Sequence, residues 1–453
     1  MSRFRPVDRK TLYLFPPSVE EWLPEDHLAR FIVEVIDGLD LSPLQKAYAG
    51  RGSAAHHPGL LLSLLVYGYA TGVFSSRKIE RATYDSVAFR FIAANEHPDH
   101  DTLASFRRRF LDELAGIFIQ VLEMAQEMKL LKLGTVSLDG TKIHANASRH
   151  SALSHGHIEK SQAQLKAQVK ELLALAEQAD QTNLPDGVSL PEEIKRREER
   201  LKAMEEAKAK IEARAKARFE REQAEYQDKL ARRQARTKKT GKKPGGKPPK
   251  PPAPGAKASD QINLTDEESR IMPVSGGGFE QSYNAQAAVD TQSLLVLSTT
   301  VTDSPTDRGQ VVPMLEQIAA LPKSLGPVTQ MLADTGYFSG RNVEACEQAN
   351  IEPLIAVTRE GREEDWRARF TEPPALAEDA TAVERMKHRL KTQSGRAAYA
   401  LRKQTVEPVF GLIKSVLGFR QFSLRGLKAV AGEWRLVCLA WNMKRLAALR
   451  LAG

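Results

Sequence analysis

Three acidic residues stand where carboxylates could act together: Asp139, Asp334 and Glu407. Asp139 ends the alternating stretch Thr-Val-Ser-Leu-Asp, and Asp334 ends the apolar stretch Met-Leu-Ala-Asp. Such stretches predict β-strands. Because sites in open α/β sheets form at the carboxyl ends of strands, the two aspartates can lie side by side. The alternative is that each one begins a turn before a glycine, as Asp commonly does.

Glu407 belongs to a pattern with helical spacing. It lies four residues after Lys403, four before Gly411 and seven before Lys414, so all four share one helical face. A Glu among lysines is usually an exposed ion pair. The glycine changes this reading, because Gly in mid-helix costs about 1 kcal/mol relative to Ala and can permit close approach of a backbone or ligand. Pro408 disfavours helical geometry at Glu407, which predicts a kink or a first helical turn there.

The segments around these acids predict an α/β domain with a helical block before it. Residues 26–128 show helical periodicity, and a long helix beginning near residue 101 carries Arg107, Arg108 and Arg109 opposite its phenylalanines. Short helices ending in a basic helix resemble helix-turn-helix DNA binders, although an ordinary bundle with an exposed arginine face gives the same pattern. After residue 131 the predicted order is β-β-β-α-β-α-β with a helical C-terminus, which indicates a mixed sheet.

Different material interrupts the sheet-forming segments at residues 151–259. Residues 158–236 are rich in Ala, Glu, Lys, Gln and Arg, which predicts a helical hairpin or coiled coil. Residues 237–259 have no apolar face and predict a disordered basic linker. Eleven of the 66 Lys and Arg residues lie between Asp228 and Asp260, leaving 55 basic and 57 acidic residues elsewhere. The net charge of +9 is therefore a property of one segment, and DNA contacts elsewhere require local patches.

Three segments resemble the RNase H-like DDE domain of bacterial insertion-sequence transposases. They are SLDGTKIHANAS (137–148), YNAQAAVD with LADTGYFSG (283–290 and 332–340), and YALRKQTVEPVFGLIK (399–414). The helical block with HDTLASFRRRF is similar to the N-terminal domain of that group. The resemblance implies an RNase H-like mixed five-stranded sheet with flanking helices. The expected organisation is a helical DNA-binding domain at 1–130, a catalytic domain at 131–150 and 260–450, and the helical insertion at 151–259.

The resemblance also implies the chemistry. Asp139, Asp334 and Glu407 match the catalytic, metal-binding triad of the family. Hard ions such as Mg²⁺ or Mn²⁺ prefer carboxylate oxygens, and two ions about 4 Å apart can support in-line displacement at a phosphodiester. The same site can use water to release a 3′-hydroxyl and then use that hydroxyl to attack target DNA.

A basic signature surrounds the last carboxylate. Tyr399, Arg402 and Lys414 match, with the glutamate, the Tyr-Arg-Glu-Lys pattern of the family. Four residues separate Arg402 from the glutamate where the usual pattern has three, and Lys403 stands at the usual spacing, so both bases are candidates. We expect these four residues to contact DNA, together with the three consecutive arginines at 107–109.

The expected partners are double-stranded DNA, as terminal inverted repeats and as target, and further copies of the chain in a homodimer or higher homo-oligomer. No apolar run is long enough for a membrane span, no secretory signal is read at the N-terminus, and Cys346 and Cys438 are interpreted as buried reduced thiols. These features predict a cytoplasmic, nucleoid-associated protein. Two alternatives stay open: a metal-dependent nuclease of the same fold without strand transfer, and a non-catalytic DNA-binding or coiled-coil protein.

Overall fold

The computed structural model describes residues 18–48, 55–177, 190–241, 245, 247–274, 276–357 and 371–452. The chain divides into two compact units. The first unit comprises Met1–His144 and Tyr283–Gly453, and the second unit comprises Ala145–Ser282. Within the described residues no helix is both long and apolar enough to cross a membrane.

The helices are, in chain order, α1 (Leu28–Asp37), α2 (Ser42–Lys46), α3 (Pro58–Ala70), α4 (Ser76–Asp85), α5 (Val87–Ile92), α6 (His100–Arg109), α7 (Leu114–Glu127), α8 (His155–Glu177), α9 (Leu190–Thr240), α10 (Val311–Ala319), α11 (Gly340–Gln348), α12 (Ala382–Lys391), α13 (Gln393–Gly411) and α14 (Leu427–Ala452). The strands are β1 (Thr135–His144), β2 (Ala152–Ser154), β3 (Gln261–Asn263), β4 (Arg270–Pro273), β5 (Phe279–Asp290), β6 (Val296–Thr302), β7 (Gln330–Ala333) and β8 (Glu352–Ile355).

The N-terminal helices pack around α3, which is buried on nearly all sides and contacts α14 near the C-terminus. The single long helix expected from residue 101 is instead two helices, because a turn interrupts the helix between α6 and α7. The break allows consecutive residues, Phe110 and Leu111, both to be buried. Leu111 lies against Gly432 of α14 so closely that a Cβ on the glycine would stand 2.8 Å from the Leu111 Cβ. A side chain there would force the two segments apart.

The sheet of the first unit has the strand order β6-β5-β1-β7-β8. β5 and β6 are antiparallel, whereas β1, β7 and β8 run parallel to one another. This mixed sheet confirms the expected RNase H-like fold. A sixth strand, β4, pairs with residues 279–282, the first four residues of β5. Both β4 and these four residues belong to the second unit. Pro408 does not end α13, which continues through it and passes into a π-helical turn at Leu412–Val416.

The second unit contains an antiparallel helical hairpin with a small core of its own. Lys208 of α9 binds Glu159 of α8 at 3.1 Å, and Lys166 lies 3.6 Å from Glu205. Between the helices and the β2–β3 pair lies an apolar cluster. Its buried members are Ile158, Leu165, Met204, Ala207, Ile211 and Ile262. The hairpin expected at 158–236 is therefore present as α8 and α9.

The segment expected to be a basic linker begins as helix. Residues 237–240 form the last turn of α9, as the strong helix-forming residues before them favour. The Arg218 guanidinium of α9 binds the Asp260 carboxylate at 2.8 and 2.9 Å and the Gly255 carbonyl at 3.3 Å. Residues 242–244 and 246 lie outside the described residues. The described residues near the end of the segment are thus fixed to α9.

Candidate active site

The two aspartates lie side by side where the pairing between the parallel strands β1 and β7 ends, a place called the strand edge below. Asp334 directly follows β7, whereas Asp139 lies in the middle of β1, which continues past it, so the expectation that Asp139 ends its strand is corrected. Leu138 of β1 pairs in register with Ala333 of β7, which places Asp139 beside Asp334. The Asp139 carboxylate accepts a hydrogen bond from the Gly140 amide at 2.8 Å. Asp334 follows β7 and caps a short 3-10 turn by accepting from the Gly336 amide at 2.7 Å. The turn-forming role that Asp often has and a place at the strand edge therefore coexist here.

Arg402 links the third acid, Glu407, to Asp139. The Arg402 guanidinium donates to the Glu407 carboxylate at 2.9 Å and lies 3.6 Å from the Asp139 carboxylate. Arg402 is largely buried, whereas the Glu407 side chain is about half exposed. Lys403 is exposed. Of the two bases left open by the spacing, Arg402 is the one that reaches the acids.

Negatively charged groups outnumber positively charged groups around Asp139. Burial raises the pKa of its carboxyl to about 7, with further upward contributions from the Asp334 and Asp307 charges. The Gly140 amide and Arg402 lower the pKa but do not compensate. A carboxyl with this environment is poised to exchange its proton for another cation.

Asp307 is a fourth carboxylate at the site and had no signal in the sequence. It follows β6 in a loop that also contains Asp303, and nothing in the local pattern distinguishes the two. Its Oδ1 atom accepts from the Asn284 and Gln286 side-chain amides at 2.7 and 2.9 Å. Lys142 of β1 lies 3.4 Å from the same oxygen. Only the tertiary structure brings these residues from three segments to one point.

The polar cluster formed by Asp307, Asn284 and Gln286 leaves room only for a glycine at position 140. A Cβ at this position would stand 2.1 Å from the Gln286 Nε2 atom and 2.8 Å from oxygens of Asn284 and Asp307. No side chain fits without displacing these polar groups. The glycine after the first acid therefore allows a polar cluster to pack against the backbone of β1, which is a different reason from the turn that the sequence suggested.

Lys414 and Arg420 lie close to Lys142, which contacts Asp307. Burial lowers the pKa of the Lys414 ammonium, and the charges of Lys142 and Arg420 lower it further. The Arg420 Nε atom donates to the Lys414 carbonyl at 3.1 Å. Lys142 lies within the SLDGTKIH segment. Neither Lys142 nor Arg420 was predicted from the sequence to be a site residue. Tyr399 is half-buried and close enough to Arg402 to contribute to raising its pKa against the effect of burial.

The three consecutive arginines do not share one environment. Arg107 is buried, and its guanidinium donates to the Tyr69 hydroxyl at 2.8 Å and to the Phe74 carbonyl at 3.3 Å. The expectation that Arg107 faces DNA is therefore corrected: its side chain joins α6 to α3. Arg108 is exposed. Arg109 is also exposed, and its guanidinium binds the Ala47 carbonyl and lies over the Tyr48 ring.

The acids of the site have the chemistry that Mg²⁺ and Mn²⁺ prefer, because these hard ions bind carboxylate oxygens. Asp139 and Asp334 fit as a pair at the strand edge. Within the described residues, however, no group of three His, Cys, Asp or Glu side chains is close enough to hold an ion together. Glu407 is directed toward Arg402, so it would have to turn from that partner to complete a three-carboxylate set.

Two family matches agree with this geometry. Residues 17–109 match a family described as Transposase domain (DUF772), and residues 252–443 match one described as Transposase DDE domain. Asp139 lies between the matched ranges, whereas Asp334 and Glu407 lie within the second. Neither the curated proteins nor the solved structures contain a significant match. Together with the RNase H-like sheet and its acidic edge, the two matches, each to a transposase domain, support an insertion-sequence DDE transposase.

Proposed function

We propose that this transposase cleaves DNA strands at the ends of its element and transfers them into target DNA, with Asp139, Asp334 and Glu407 as the catalytic carboxylates. The observation that carries the proposal is the convergence of two strand-edge aspartates with Arg402, which links the first of them to Glu407. Residues from three distant parts of the sequence meet at one edge of the sheet, as a site that must hold a phosphodiester between acids requires.

The three carboxylates would hold Mg²⁺ or Mn²⁺, which when bound as a pair activates the attacking oxygen and stabilises the leaving oxygen. Asp139 and Asp334 supply the fixed side of this site, because adjacent strands set their spacing. Glu407 supplies the adjustable side, since its side chain is half exposed and bound by one arginine. Arg402, released from Glu407, can donate to a phosphate oxygen through its planar fork.

The DNA strand next to the scissile phosphate would lie along the basic residues. Lys414, Lys142 and Arg420 concentrate positive charge beside the acids, which favours a phosphate there. Tyr399 and Lys403 extend this surface along α13. Arg108 and Arg109 are the remaining candidates for contacts to DNA on α6. We also infer a homodimer or higher homo-oligomer, since two element ends have to be joined to one target, and a place of action at the nucleoid.

The test uses duplexes carrying the terminal inverted repeats read from DNA flanking the gene. With Mg²⁺ or Mn²⁺ we expect nicking at the repeat end and joining of the 3′-end to a supercoiled plasmid. Ca²⁺ should support binding better than cleavage. Cleavage with no joined product at any target concentration would favour the nuclease alternative. End binding with no cleavage under any divalent ion would favour a non-catalytic DNA-binding protein and contradict the proposal.

A further inference from the structure

The polar cluster around Asp307 links the two segments that carry the strand-edge aspartates. Asp307 is about one-quarter exposed, but its amide partners, Asn284 and Gln286 of β5, are completely buried. Gln286 also donates to the Asn284 side-chain oxygen at 2.9 Å. Because buried amides are costly to leave unsatisfied, these contacts fix the position of every member.

One side of the cluster bears on β1. Gly140 directly follows Asp139, and the atoms that exclude a Cβ there belong to Gln286, Asn284 and Asp307. Lys142, two residues further along the strand, lies 3.4 Å from Asp307. The cluster therefore packs against the backbone that sets the direction of the Asp139 side chain.

The other side of the cluster bears on the turn after Asp334. The Tyr337 hydroxyl donates to the Gln286 side-chain oxygen, and Tyr337 is completely buried. The Asn342 side chain donates to the Tyr337 carbonyl at 2.6 Å and to the Arg308 carbonyl at 2.7 Å. The turn at 335–337 and the loop at 307–308 are thus tied together twice, once through Gln286 and once through Asn342.

We propose that Asp307 is a positioning residue of this site: by accepting hydrogen bonds from Asn284 and Gln286, it fixes the spacing between Asp139 on β1 and Asp334 before the 335–337 turn. This role rests on the proposed function for its consequence in catalysis, but the positioning itself is a property of the folded chain. A small displacement of reacting groups can reduce a rate by roughly 100-fold, so a residue that only sets spacing can matter greatly.

Hydrogen-bond acceptance and negative charge can be separated with two substitutions. Asp307→Asn keeps an oxygen that accepts from both amides, whereas Asp307→Ala removes it. A positioning role predicts that Asp307→Ala speeds amide hydrogen exchange at 138–141 and at 335–338, while Asp307→Asn leaves both segments close to wild type. Asp379→Ala, at an exposed aspartate, is the matched control and should change neither segment. This measurement uses the full chain without metal or DNA.

The functional arm measures Mn²⁺ affinity in the absence of DNA, and then cleavage. Asp307→Ala should weaken Mn²⁺ binding and lower the cleavage rate by roughly 100-fold, with end binding unchanged, and Asp307→Asn should restore most of both. Tyr337→Phe, which removes only the bond to Gln286, should speed exchange at 335–338 alone, and it provides a folded variant should Asp307→Ala not fold.

Three results would overturn the proposal. They are unchanged exchange at both segments in Asp307→Ala, unchanged exchange at 335–338 in Tyr337→Phe, or an Asp307→Asn variant as impaired as Asp307→Ala. The last would mean that the charge of Asp307, and not its hydrogen bonds, is needed. If wild-type protein never cleaves DNA, the proposed function fails, while the exchange experiment still decides whether Asp307 positions the two segments.

Discussion

Opposite charges meet in both units of the molecule, but they do different things. In the second unit, Lys166 and Glu205 join two helices with both side chains more than half exposed. In the first unit, Arg402 joins Asp139 and Glu407 while nearly buried itself. Water screens the first pair, so this ion pair contributes little to stability and does not depend on its neighbours. The second set lies where charges are poorly screened, so Arg402 acts to lower the pKa of Asp139, and the acids act to raise the pKa of Arg402.

The difference teaches where function can be sought in a highly charged chain. The hairpin contains many Lys, Arg and Glu residues, and its stability rests on a few apolar side chains between its helices. At the candidate active site, burial raises the pKa of Asp139 to about 7. Burial and convergence, rather than the number of charges, distinguish the candidate site.

The largest effect should come from neutralising an acid of the first unit. Asp139→Asn, Asp334→Asn and Glu407→Gln each keep the shape of the side chain and remove the charge that a divalent ion needs, so cleavage should fall by on the order of 10⁴-fold. End binding should persist in gel-shift titrations. Glu316→Gln, at an exposed position of α10, is the control. Undiminished cleavage by any one of the three variants removes that residue from the triad.

The pH dependence of folding should reveal the same burial without any substrate. In metal-free protein, folded Asp139 keeps its proton up to about pH 7, whereas the unfolded chain loses it near pH 4. This residue therefore makes the folded state less stable as pH rises from about 4 to about 7, by on the order of 4 kcal/mol in total. Above pH 7 its contribution no longer changes.

Urea unfolding of wild type and Asp139→Asn in EDTA measures this contribution as the difference between their free energies of unfolding. The substituted protein should gain stability relative to wild type as pH rises through the window and keep that advantage at pH 8. A difference that stays constant from pH 4 to pH 8 would mean that the Asp139 carboxyl is solvated in the metal-free protein.

A third change tests whether the second unit is held by its own core. Ile158→Ala removes a completely buried side chain from the apolar cluster and should destabilise the hairpin by about 2–5 kcal/mol. Leu173→Ala, on the same helix but 47% exposed, should cost less than about 0.5 kcal/mol. Hydrogen exchange of α8 reports both values. Equal losses of stability in Ile158→Ala and Leu173→Ala would contradict the assignment of Ile158 to a core.

The smallest effect should come from the exposed ion pair. Lys166→Ala should change the stability of the hairpin by less than about 0.5 kcal/mol. Arg218→Ala should cost clearly more, because its guanidinium makes two hydrogen bonds to a mostly buried carboxylate. Exchange measured at low and high salt compares the two variants, and a Lys166 effect as large as that of Arg218 would break the distinction between screened and shielded charges.

Much of this protein follows from its sequence. Alternation and apolar runs predicted β1, β5, β6, β7 and β8, because the period of two in a strand and the apolar stretch of a buried strand are local signals. The two helices of the insertion followed from composition in the same way. The place of Asp334 after β7 followed from where its apolar run stops, whereas β1 continues past Asp139, where the alternating run had predicted an end.

Tertiary structure alone decided which charged residues act together. Arg107 lies beside two exposed arginines in the sequence, yet it is buried against Tyr69, because the rotation of α6 against α3 is set by packing and not by composition. Arg402 was chosen over Lys403 by the direction in which α13 presents each side chain to β1. Asp307 and Asp303 look alike in the sequence, and only the fold brings Asp307 to the buried amides of β5. Local patterns specify elements, whereas the contacts between distant elements specify a site.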